Sequence, residues 1–566
     1  MVLLGINAYA HDSAVALLDG PRILAFVEEE RFNREKHTTA FPDRSLRWVL
    51  EHHGLDLSDV DELAFFLKPW QLIASRTARA LRYLPRSLVQ FTTYRPGNAL
   101  RILALGSYLR NGSFGARRTP RFRLRYVDHH LAHAASAYYL AGFEEAAILS
   151  IDGAGEDITT WFGRGMGHRI VRRHCVRLPH SLGLLYSAVT DYLGFKPWGG
   201  EGKVMGLAPY GDPARYRSAM HGLLHWNEDG RFELDLRYFD FHVTGWTRWI
   251  SPAFEQVFGP RRPPQSELTS RHQDVAAALQ EVVEDAALAL VRHLHRLVPS
   301  RNLCLAGGVA LNSVMNGRIR REGPFEHMFV QPAANDAGTA LGGALLVAHG
   351  VLGLPRVESP EVVYLGPEYS AADHEAAARD LGLVIERPDD AVERTAELLA
   401  AGKIVGWFQG RMEVGPRALG NRSILADPRD ATMKDTLNHR VKHREAFRPF
   451  APSVLEEHAA EWFEGVASSP HMLLVFPVNP ARRGRVPAVT HVDGTARVQT
   501  VSARSNPRFH RLIAAFGRRT GVPMLLNTSF NVQGEPIVCT PSNAVHCFKG
   551  TDMDYLVLGD LVLRKP

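Results

Sequence analysis

Three histidines lie within five positions of an alanine-rich run, VDHHLAHAASAYYLAGF, at residues 127–143. Two of them, His129 and His133, are four residues apart, and on a helix this spacing places both imidazoles on one face, about 6 Å apart at Cβ. The third, His130, would project about 100° away from that face. Two imidazoles on one face could bind a divalent metal ion. The alternative is that two histidines without a shared role lie close together.

Two aspartates are candidates for the rest of a metal shell. Asp152 follows the apolar run ILSI, and Asp336 ends the segment MFVQPAAND before a glycine-rich helix. Strand ends in an α/β arrangement collect at the ligand crevice, so both carboxylates could reach the histidine pair. Two imidazoles and two carboxylates with open positions suit a first-row divalent metal such as Fe, Mn or Zn. The predicted metal ligands are His129, His133, Asp152 and Asp336.

Three turns have the form of phosphate-binding loops. The segments LLGINAYAHDSAVALL and ILSIDGAGEDITTW each join a strand to a turn with glycine or aspartate, and LAGGVALNSVMNGRI joins a strand to a helix through Gly307 and Gly308. Backbone N–H groups in such turns can line a polyphosphate, although a plain hairpin explains any single turn as well. With the predicted strand order, the three turns indicate an actin-like ATPase fold.

The last third of the chain carries a dense group of basic residues. Arginine forms paired hydrogen bonds to planar or tetrahedral anions, and lysine supplies a point charge. We therefore predict an anion site, completed by Asn527 and Ser529 in LLNTSFNVQGEPIV. The alternatives are a solvated basic face and an RNA-binding patch. The absence of a lysine-rich run disfavours the RNA-binding patch. The basic residues are Arg411, Arg417, Arg422, Arg440, Lys442, Arg444, Arg448 and Arg497.

The elements that must position these groups fall into two domains. Strands at VLLGINAY, HDSAVALLDG and RILAFVEEERF begin the first domain, and a long helix at QDVAAALQEVVEDAALALVRHLHRLV leads into the strand NLCLAGGVAL. Prolines, glycines and a loss of periodicity around residues 350–370 mark a boundary. We predict domains at residues 1–355 and 356–566, with insertions in the first near 63–127 and 212–272.

The composition is that of an ordinary globular protein, with 45% hydrophobic and 22% charged residues among 566. A net charge of +6 is mild for this length and does not imply nucleic acid. Four scattered cysteines form no CxxC pair, which argues against a zinc ribbon or a disulfide framework. We find no signal peptide and no apolar run of about 18 residues, so a cytoplasmic protein without a membrane span is expected.

Many of these motifs resemble those of the NodU/CmcH family of O-carbamoyltransferases. The resemblance runs from residue 4 to about residue 540, in the order of the family. It implies an N-terminal actin-like domain, related to threonylcarbamoyl-transfer proteins, and a smaller YrdC-like α/β domain after it. The motifs are HDSAVALL, EEERFNREKH, HHLAHAASAYY, DGAGED, GKVMGLAPYG, AGGVALN, NDAGTALGGA, GRMEVGPRALGNRSIL, RVKHREAFRPFAPS and LNTSFNVQGEPIV.

The resemblance also implies a two-step reaction that uses ATP with Mg²⁺. Carbamoyl phosphate would lose phosphate in the YrdC-like domain, and ATP would adenylate the carbamate. Carbamoyl-adenylate would then pass to the actin-like domain, where a bound metal ion, expected to be Fe(II), helps deliver the carbamoyl group to an acceptor hydroxyl and AMP is released. The expected acceptor is a small molecule, a natural product or a glycan, which fits antibiotic biosynthesis or other secondary metabolism.

Residue roles follow from the same resemblance. His11 matches the proposed general base, with a structural hydrogen bond in a turn as the alternative, and Lys36 matches a position near the adenylate. Nucleotide-binding positions are Gly153, Gly307, Gly308 and Asn312. Carbamoyl phosphate would be held by Arg417, Lys442, Arg448, Arg497, Asn527 and Ser529.

The two predicted insertions depart from the family pattern, and acceptor selectivity is expected there. Between Leu63 and Val127 the chain has no Asp or Glu. This suggests an anionic acceptor, or one carried on a phosphopantetheine, nucleotide or lipid. The arginines there are Arg76, Arg79, Arg82, Arg86, Arg95, Arg101, Arg110, Arg117, Arg118, Arg121, Arg123 and Arg125.

Three other functions share part of the pattern. A tRNA threonylcarbamoyl-transfer enzyme shares the histidine helix, but the fused C-terminal half and the lack of an RNA-binding tract argue against it. Hydrogenase maturation would call for zinc-finger cysteines and an acylphosphatase segment ahead of the two domains. A non-catalytic ATP-binding scaffold would need neither the arginine cluster nor the histidine helix. A homodimer is compatible with the sequence.

Overall fold

The computed structural model of the chain describes residues 1–88, 97–112, 114, 116–357, 363–380 and 382–566. Its contacts form two units, one of Met1–Glu29 with His37–Ser359 and the other of Glu30–Lys36 with Pro360–Pro566. The second unit thus includes a segment from near the N-terminus, which carries the short helix α1 (Glu30–Asn33). Arg95 and part of the predicted boundary, residues 358–362, lie outside the described residues.

The first unit contains the same sheet topology twice. Each sheet has five strands, in the orders β3-β2-β1-β4-β5 and β8-β7-β6-β11-β12. The first three strands along the chain pair antiparallel. The last two run parallel to β1 in one sheet and to β6 in the other. This duplication is the topology of the actin-like ATPase fold that the turns predicted. The strands are β1 (Val2–Asn7), β2 (Ala14–Asp19), β3 (Arg22–Glu28), β4 (Val60–Phe65), β5 (Arg123–Tyr126), β6 (Glu145–Ile151), β7 (Ile158–Met166), β8 (Arg169–Arg177), β9 (Leu224–Trp226), β10 (Phe232–Leu234), β11 (Asn302–Ala306) and β12 (His327–Val330).

Helices connect and cover these sheets. Within the arginine-rich residues 63–127, the described part holds the end of β4, three helices and β5, so this excursion separates two neighbouring parallel strands. The helices are α2 (Asp43–His52), α3 (Pro69–Arg82), α4 (Gly97–Leu103), α5 (Leu105–Asn111), α6 (His129–Tyr138), α7 (Leu182–Tyr192), α8 (Glu201–Leu207), α9 (Arg217–His221), α10 (Phe241–Thr244), α11 (Pro252–Phe258), α12 (Ser270–Leu297), α13 (Ser313–Glu322) and α14 (Ala337–Leu345). Short helical turns lie at Leu57–Asp59, Ala208–Tyr210, Pro213–Arg215, Leu236–Tyr238, Gly308–Leu311 and Leu346–Val351.

Small residues allow two helices to approach closely at the centre of the first unit. Helix α14 packs against α6 and against β1. A Cβ on Gly342 of α14 would lie 1.9 Å from the carbonyl oxygen of Ala132 in α6, and a Cβ on Gly5 of β1 would lie 1.9 Å from that of Ala340. Glycine is therefore required at both contacts, and their closeness brings the start of α14 beside the histidine face of α6.

The second unit is also α/β and is built on a mixed eight-stranded sheet in the order β13-β22-β21-β14-β15-β20-β16-β19. The strands are β13 (Val384–Glu386), β14 (Val405–Phe408), β15 (Arg422–Ala426), β16 (Ala451–Leu455), β17 (Val475–Pro477), β18 (Thr495–Arg497), β19 (Gln499–Val501), β20 (Met524–Ser529), β21 (Tyr555–Leu558) and β22 (Leu561–Arg564). The helices are α15 (Ala371–Asp380), α16 (Ala391–Ala400), α17 (Met433–Thr436), α18 (Ala459–Trp462), α19 (Pro507–Thr520) and α20 (Pro541–Lys549), with helical turns at Leu437–Lys442, Glu456–His458, Arg483–Arg485 and Pro487–Val489.

The predicted fold class is confirmed. Both units are α/β, the first with the duplicated actin-like topology and the second as the α/β domain expected after it. Across the described residues, no helix combines the length and the apolar character that crossing a membrane requires.

Candidate metal centre and anion site

The structure brings together the four residues predicted as metal ligands. His129 and His133 lie on α6, Asp152 follows β6, and Asp336 precedes α14. One ligand atom from each residue lies within 4.8 Å of the others. The Nε2 atom of His129 is 2.9 Å from Oδ2 of Asp152 and 3.8 Å from Oδ1 of Asp336. A divalent metal ion bonded at about 2 Å to each atom needs donors this close to one another.

Unused hydrogen-bonding capacity at His133 also fits a metal ligand. Both ring nitrogens are buried, and neither has a hydrogen-bond partner among the described residues. Its Nε2 atom lies 3.4 Å from Oδ2 of Asp152 and 3.7 Å from Oδ1 of Asp336. Buried polar atoms normally have hydrogen-bond partners. The Nε2 atom of His133 has none among the described residues and lies near two carboxylates, which is the arrangement expected of a ligand to a cation.

The neighbouring histidine has a different role. Nδ1 of His130 lies 2.9 Å from the hydroxyl oxygen of Ser150, and Nε2 lies 2.8 Å from the carbonyl oxygen of Ile158. Burial lowers the pKa of His130 to about 3, and the nearby His129 adds to the effect. His130 therefore ties α6 to β6 and β7 as a neutral imidazole and lies outside the four-residue group.

Hydrogen bonds fix the orientation of the Asp152 carboxylate. Oδ1 accepts from the backbone N–H of Gly153 at 2.8 Å and from that of Gly308 at 3.2 Å, which leaves Oδ2 facing His129. Burial alone would raise the pKa of Asp152, but the hydrogen bond with His129 and the nearby imidazole of His133 outweigh it and hold the pKa well below its ordinary value. Outer partners of this kind set the orientation of metal ligands.

The charge of the group acts on His129 as well. Burial alone would lower the pKa of His129, but the carboxylates of Asp336 and Asp152 outweigh it and raise the pKa to about 9. Glu156, which the sequence reasoning did not select, accepts from the backbone N–H of His129 at 3.4 Å. Its motif, DGAGED, was recognised, but nothing in the spacing showed that the glutamate of this motif would contact α6.

The predicted general base, His11, lies in the turn between β1 and β2. Its ring is 4.8 Å from that of Trp198, and its buried Nδ1 has no hydrogen-bond partner among the described residues. The adjacent Asp12 lies 2.7 Å from Nδ1 of His37, and burial opposes but does not overcome the hydrogen bonds from His37 and Asn335 that lower the pKa of Asp12. Because Asn335 directly precedes Asp336, this turn lies beside the histidine and aspartate group.

The predicted nucleotide-binding glycines lie against Asp152. Gly307 has φ +86°, and a Cβ there would lie 2.3 Å from the carbonyl oxygen of Ile151, so glycine is required. Gly153 is beside the N-terminus of α7, where the hydroxyl of Ser181 donates to its carbonyl oxygen at 2.8 Å. Asn312 instead caps α13 by accepting from the N–H of Met315 at 3.0 Å. The glycines line one side of the aspartate, whereas the Asn312 side chain caps α13 through its oxygen and donates through its nitrogen to Oε1 of Gln280 in α12 at 2.9 Å.

In the second unit, a cluster of four partly buried arginines carries concentrated positive charge. Burial, and then the charges of the other three, lowers the pKa of Arg497 well below its ordinary value. Burial and Arg448 lower the pKa of Arg417 to about 10 and that of Arg444 to about 9. The buried Nε of Arg497 has no hydrogen-bond partner among the described residues. Cations held together against their repulsion favour a multiply charged anion.

Arg444, which belongs to the predicted basic group but not to the carbamoyl phosphate ligands that the resemblance implies, joins Arg417, Arg448 and Arg497 in this cluster. It is held in place by its Nε, which donates to Oδ1 of Asn438 at 2.8 Å, and by packing 4.6 Å from the ring centre of Phe450. A cavity of about 340 Å³ opens beside it and is lined by Asn438, His439, His443, Arg444, Glu445 and Gln533.

Other basic residues of the same motifs are engaged elsewhere. The guanidinium of the fully buried Arg422 donates to the carbonyl oxygens of Gln409 and Pro367. Arg411 donates to the carbonyl oxygen of Leu365 at 2.8 Å, and Arg440 is exposed. Of the three arginines in GRMEVGPRALGNRS, only Arg417 therefore joins the basic cluster.

Lys442 is placed as a support for the loop after β20. Its buried ammonium donates at 2.7 Å to the carbonyl oxygens of Ser529 and Asn531 and to Oδ1 of Asn531. Burial, followed by nearby arginines and Lys36, lowers its pKa well below the ordinary value. All three ammonium protons have acceptors, so in this arrangement Lys442 holds Ser529 in position instead of offering a free charge.

Asn527 and Lys36 are the remaining predicted site residues of the second unit. The buried Asn527 donates to Ser453 Oγ at 2.9 Å, whereas its Oδ1 has no hydrogen-bond partner in the described part of the chain. Lys36 belongs to the second unit through the segment Glu30–Lys36, in which Arg34 donates to the carbonyl oxygens of Ile537 and Pro536.

The fold and these sites indicate a two-unit α/β enzyme with a candidate metal centre in one unit and a candidate anion site in the other. Residues 2–345 match the family described as Carbamoyltransferase N-terminus, and residues 396–565 match the family described as Carbamoyltransferase C-terminus. The chain belongs to this carbamoyltransferase family, and the predictions of the family and of a transferase are confirmed.

Relatives match along nearly the whole chain. An uncharacterized protein of Synechocystis sp. is 43% identical and covers 100% of this chain and 96% of its own length. Nodulation protein NolNO of Sinorhizobium fredii is 42% identical, over 99% of this chain and 80% of its own length. The 3'-hydroxymethylcephem-O-carbamoyltransferase of Streptomyces clavuligerus is 30% identical, over 98% of each chain.

Proposed function

We propose that this protein is an ATP-dependent O-carbamoyltransferase that transfers the carbamoyl group of carbamoyl phosphate to a hydroxyl of a small-molecule acceptor. The observation that supports it most is the match of both units to the carbamoyltransferase family. The name of the Streptomyces clavuligerus relative, an O-carbamoyltransferase acting on a hydroxymethyl group, supports a hydroxyl acceptor.

The first step is assigned to the second unit. Water cleaves the bond between the carbamoyl carbon or phosphorus and the bridging oxygen of carbamoyl phosphate, giving carbamate and inorganic phosphate. The carbamate oxygen then attacks the α-phosphorus of ATP, brought with Mg²⁺, and pyrophosphate leaves, so that carbamoyl-adenylate forms. Arg417, Arg448 and Arg497 neutralise the anionic reactants, while Asn527 and Ser529 supply neutral donors and Lys442 holds Ser529.

The second step is assigned to the first unit. The acceptor hydroxyl oxygen attacks the carbamoyl carbon of carbamoyl-adenylate, the bond from that carbon to the phosphate oxygen breaks, and AMP leaves. His11 takes the hydroxyl proton as general base, because its buried Nδ1 is not committed to another group of the described residues. The glycine turns at Gly153 and Gly307–Gly308 contact the nucleotide, with Asn312 fixing the helix behind them.

A divalent metal ion fits the group formed by His129, His133, Asp152 and Asp336. Two imidazoles and two carboxylates that leave positions open suit Fe(II), which we propose as the resident ion. When bound, this ion supplies a Lewis acid. The backbone N–H groups of Gly153 and Gly308 orient one of these donors, the carboxylate of Asp152, by donating to its Oδ1.

The acceptor is proposed to be a natural product or a glycan, and the reaction to be cytoplasmic. The excursion at residues 63–127, which separates β4 from β5, and the segment 212–272 are the proposed sites of acceptor selectivity. Nucleic acid is not part of this proposal, since no separate RNA-binding tract accompanies the two units.

The two steps can be tested separately. Purified protein is incubated with carbamoyl phosphate, ATP and Mg²⁺, and pyrophosphate and AMP are measured with and without a library of hydroxyl acceptors. Arg417→Ala should abolish pyrophosphate formation, because the anion site loses a central charge. His129→Ala should leave pyrophosphate formation intact and block carbamoyl transfer.

Matched variants control for unspecific damage. Arg440→Ala removes an exposed arginine of the same segment, and His168→Ala removes an exposed histidine of the first unit; both should retain both steps. No pyrophosphate under any acceptor condition would contradict the proposed function. If Arg417→Ala and His129→Ala stopped the same step, the assignment of one step to each unit would be wrong.

A further inference from the structure

Helix α3 turns an apolar stripe toward solvent. Trp70, Ile73 and Leu81 are 52%, 36% and 57% exposed. Between them, Ala74, Thr77 and Ala78 are exposed too, so the stripe recurs at intervals of three and four residues along one side of the helix. The buried residues, Pro69, Leu72 and Ala80, lie elsewhere on the helix. Such a stripe normally faces a core, and its exposure here indicates a surface that is covered in use.

Further apolar side chains are exposed in the described residues that follow the helix. Leu84 and Leu88 are 46% and 58% exposed, and Leu100 and Leu103 on α4 are 60% and 48% exposed. Eight of the 19 large apolar side chains exposed in the described part of the chain lie between Trp70 and Tyr108. This concentration separates the surface from the isolated apolar residues that any globular protein exposes.

Contacts with the body of the first unit hold this surface in place. The ring of Trp70 packs at 5.4 Å against that of Tyr126 in β5, and the ring of Tyr83 packs at 4.8 Å against that of His242. The buried hydroxyl of Ser87 donates to the carbonyl oxygen of Ala80, which ties the chain after α3 back to the helix. The exposed apolar groups are therefore presented by an anchored element.

The chain segment that carries the stripe has charges of a single sign, and the carboxylates that approach its arginines, Asp157 near Arg79 and Asp240 near Arg86, belong to other elements. No acidic residue occurs between Leu63 and Val127. Arg79 and Arg82, at the end of α3, form no ion pair with any described residue. An exposed apolar face bordered by an excess of arginine is the pattern of helices that lie in the interface of an anionic membrane.

We propose that this α3 surface, formed by α3, Leu84, Leu88 and α4, binds the face of an anionic lipid membrane. The apolar side chains would enter the boundary between headgroups and acyl chains, and Arg79 and Arg82 would contact lipid phosphates. A second copy of the chain fits less well, because a two-fold interface would bring like arginine clusters together. The inference goes beyond the proposed function and stands independently of it.

Vesicle binding by the full-length protein tests this proposal. Protein is sedimented with vesicles of phosphatidylcholine alone or mixed with phosphatidylglycerol, over a series of salt concentrations. We expect binding to the anionic vesicles that weakens as salt rises. Leu81→Glu should weaken vesicle binding at least about tenfold, because one leucine side chain is no longer buried in the membrane and the added negative charge is repelled by the anionic lipids. Arg82→Gln should weaken vesicle binding roughly fivefold.

Matched variants and a second measurement keep the outcomes distinct. Leu297→Glu changes a leucine at the end of another helix, 39% exposed, and should bind as the unchanged protein does. Absence of binding to anionic vesicles would overturn the proposal. The proposal would also be overturned if Leu81→Glu bound anionic vesicles as tightly as the unchanged protein while its molecular mass in light scattering differed from that of the unchanged protein. That result would identify the surface as an interface between copies of the chain. Pyrophosphate formation measured without vesicles reports on the proposed function alone, so either idea can fail by itself.

Discussion

The backbone of Gly155 lies directly against the imidazole of His129. A Cβ at position 155 would lie 2.9 Å from Cδ2 and 3.0 Å from Cβ of that histidine. The glycine therefore lets the DGAGED turn close over α6, where Asp152 of the same turn meets Nε2 of His129 at 2.9 Å. The position of the imidazole depends on the absence of one methyl group.

Gly155→Ala should weaken metal binding while the fold remains. The added methyl group must displace the His129 ring, and a ring shifted from its position relative to Asp152 no longer completes the donor set. We expect a loss of about 10- to 100-fold in affinity, as when a group that orients a metal ligand is removed. The measurement is titration of the metal-free protein with Fe(II) or Zn(II), with circular dichroism as a check of folding.

Gly153→Ala is the matched control for this change. A Cβ at position 153 of the same turn would approach nothing closer than 3.8 Å, the distance to Cδ2 of Leu184. Metal affinity should therefore stay within about twofold of the unchanged protein, a difference of well under 1 kcal/mol. Equal effects of the two substitutions would show that the contact between residue 155 and His129 does not position the ligand.

Arg497→Met should have opposite effects on stability and on anion binding. Burial, and then repulsion by three other arginines, lowers the pKa of Arg497, and in the protein without a ligand the substitution removes both unfavourable effects. The unliganded protein should unfold at the same or a slightly higher temperature. Binding of carbamoyl phosphate should weaken about 10- to 100-fold, the loss expected when a charged hydrogen bond worth about 1.5–3 kcal/mol disappears.

Thermal unfolding with and without carbamoyl phosphate measures both effects in one experiment. The ligand-induced increase in melting temperature should shrink in Arg497→Met and stay unchanged in Arg440→Ala, since Arg440 is exposed. A lower melting temperature of unliganded Arg497→Met would mean that this arginine is a structural residue and not part of an anion site.

The sequence was sufficient to predict the candidate metal ligands because local rules govern their placement. Helical spacing puts His129 and His133 on one face, and strand ends carry Asp152 and Asp336 to one edge. Neither rule depends on how the side chains pack in the core. The actin-like fold of the first unit was predicted from the strand order and three glycine-containing turns, and short hairpins and right-handed crossovers leave few other arrangements for those strands.

Residues whose roles depend on distant partners were beyond such rules. In the sequence, Lys442 is one more cation in a basic segment. In the structure, its ammonium donates to the carbonyl oxygens of residues 529 and 531, nearly 90 positions later. Asn335 acts on Asp12 across the first unit, and Glu30–Lys36 joins the second unit although it follows β3 in the chain. Neither spacing nor composition encodes which of several polar groups will meet after the chain has packed.

Lys442→Met should destabilise the second unit strongly. The substitution fills similar volume but leaves the carbonyl oxygens of Ser529 and Asn531 without their 2.7 Å donor. Removing one partner of a buried charged network costs about 3 kcal/mol or more. Urea denaturation should show this loss, whereas Lys403→Met at an exposed lysine should change the free energy of unfolding by no more than about 0.5 kcal/mol. A stability equal to that of the unchanged protein would contradict the supporting role of Lys442.

The stability of the first unit should fall below pH 6.5, in part through His242. Burial, followed by the charges of Arg86 and His180, lowers the pKa of His242 to about 4 in the folded protein. The unfolded chain, with a pKa near 6.5, therefore binds this proton first as the pH falls, so the stabilisation is complete above pH 6.5 and is lost toward pH 4. His242→Phe keeps an aromatic ring against Tyr83, 4.8 Å away, without a titrating group. Calorimetry at pH 8 and pH 5 should show a decrease in melting temperature that is a few degrees smaller in His242→Phe than in the unchanged protein. The same decrease in both would exclude His242 as a source of the acid sensitivity.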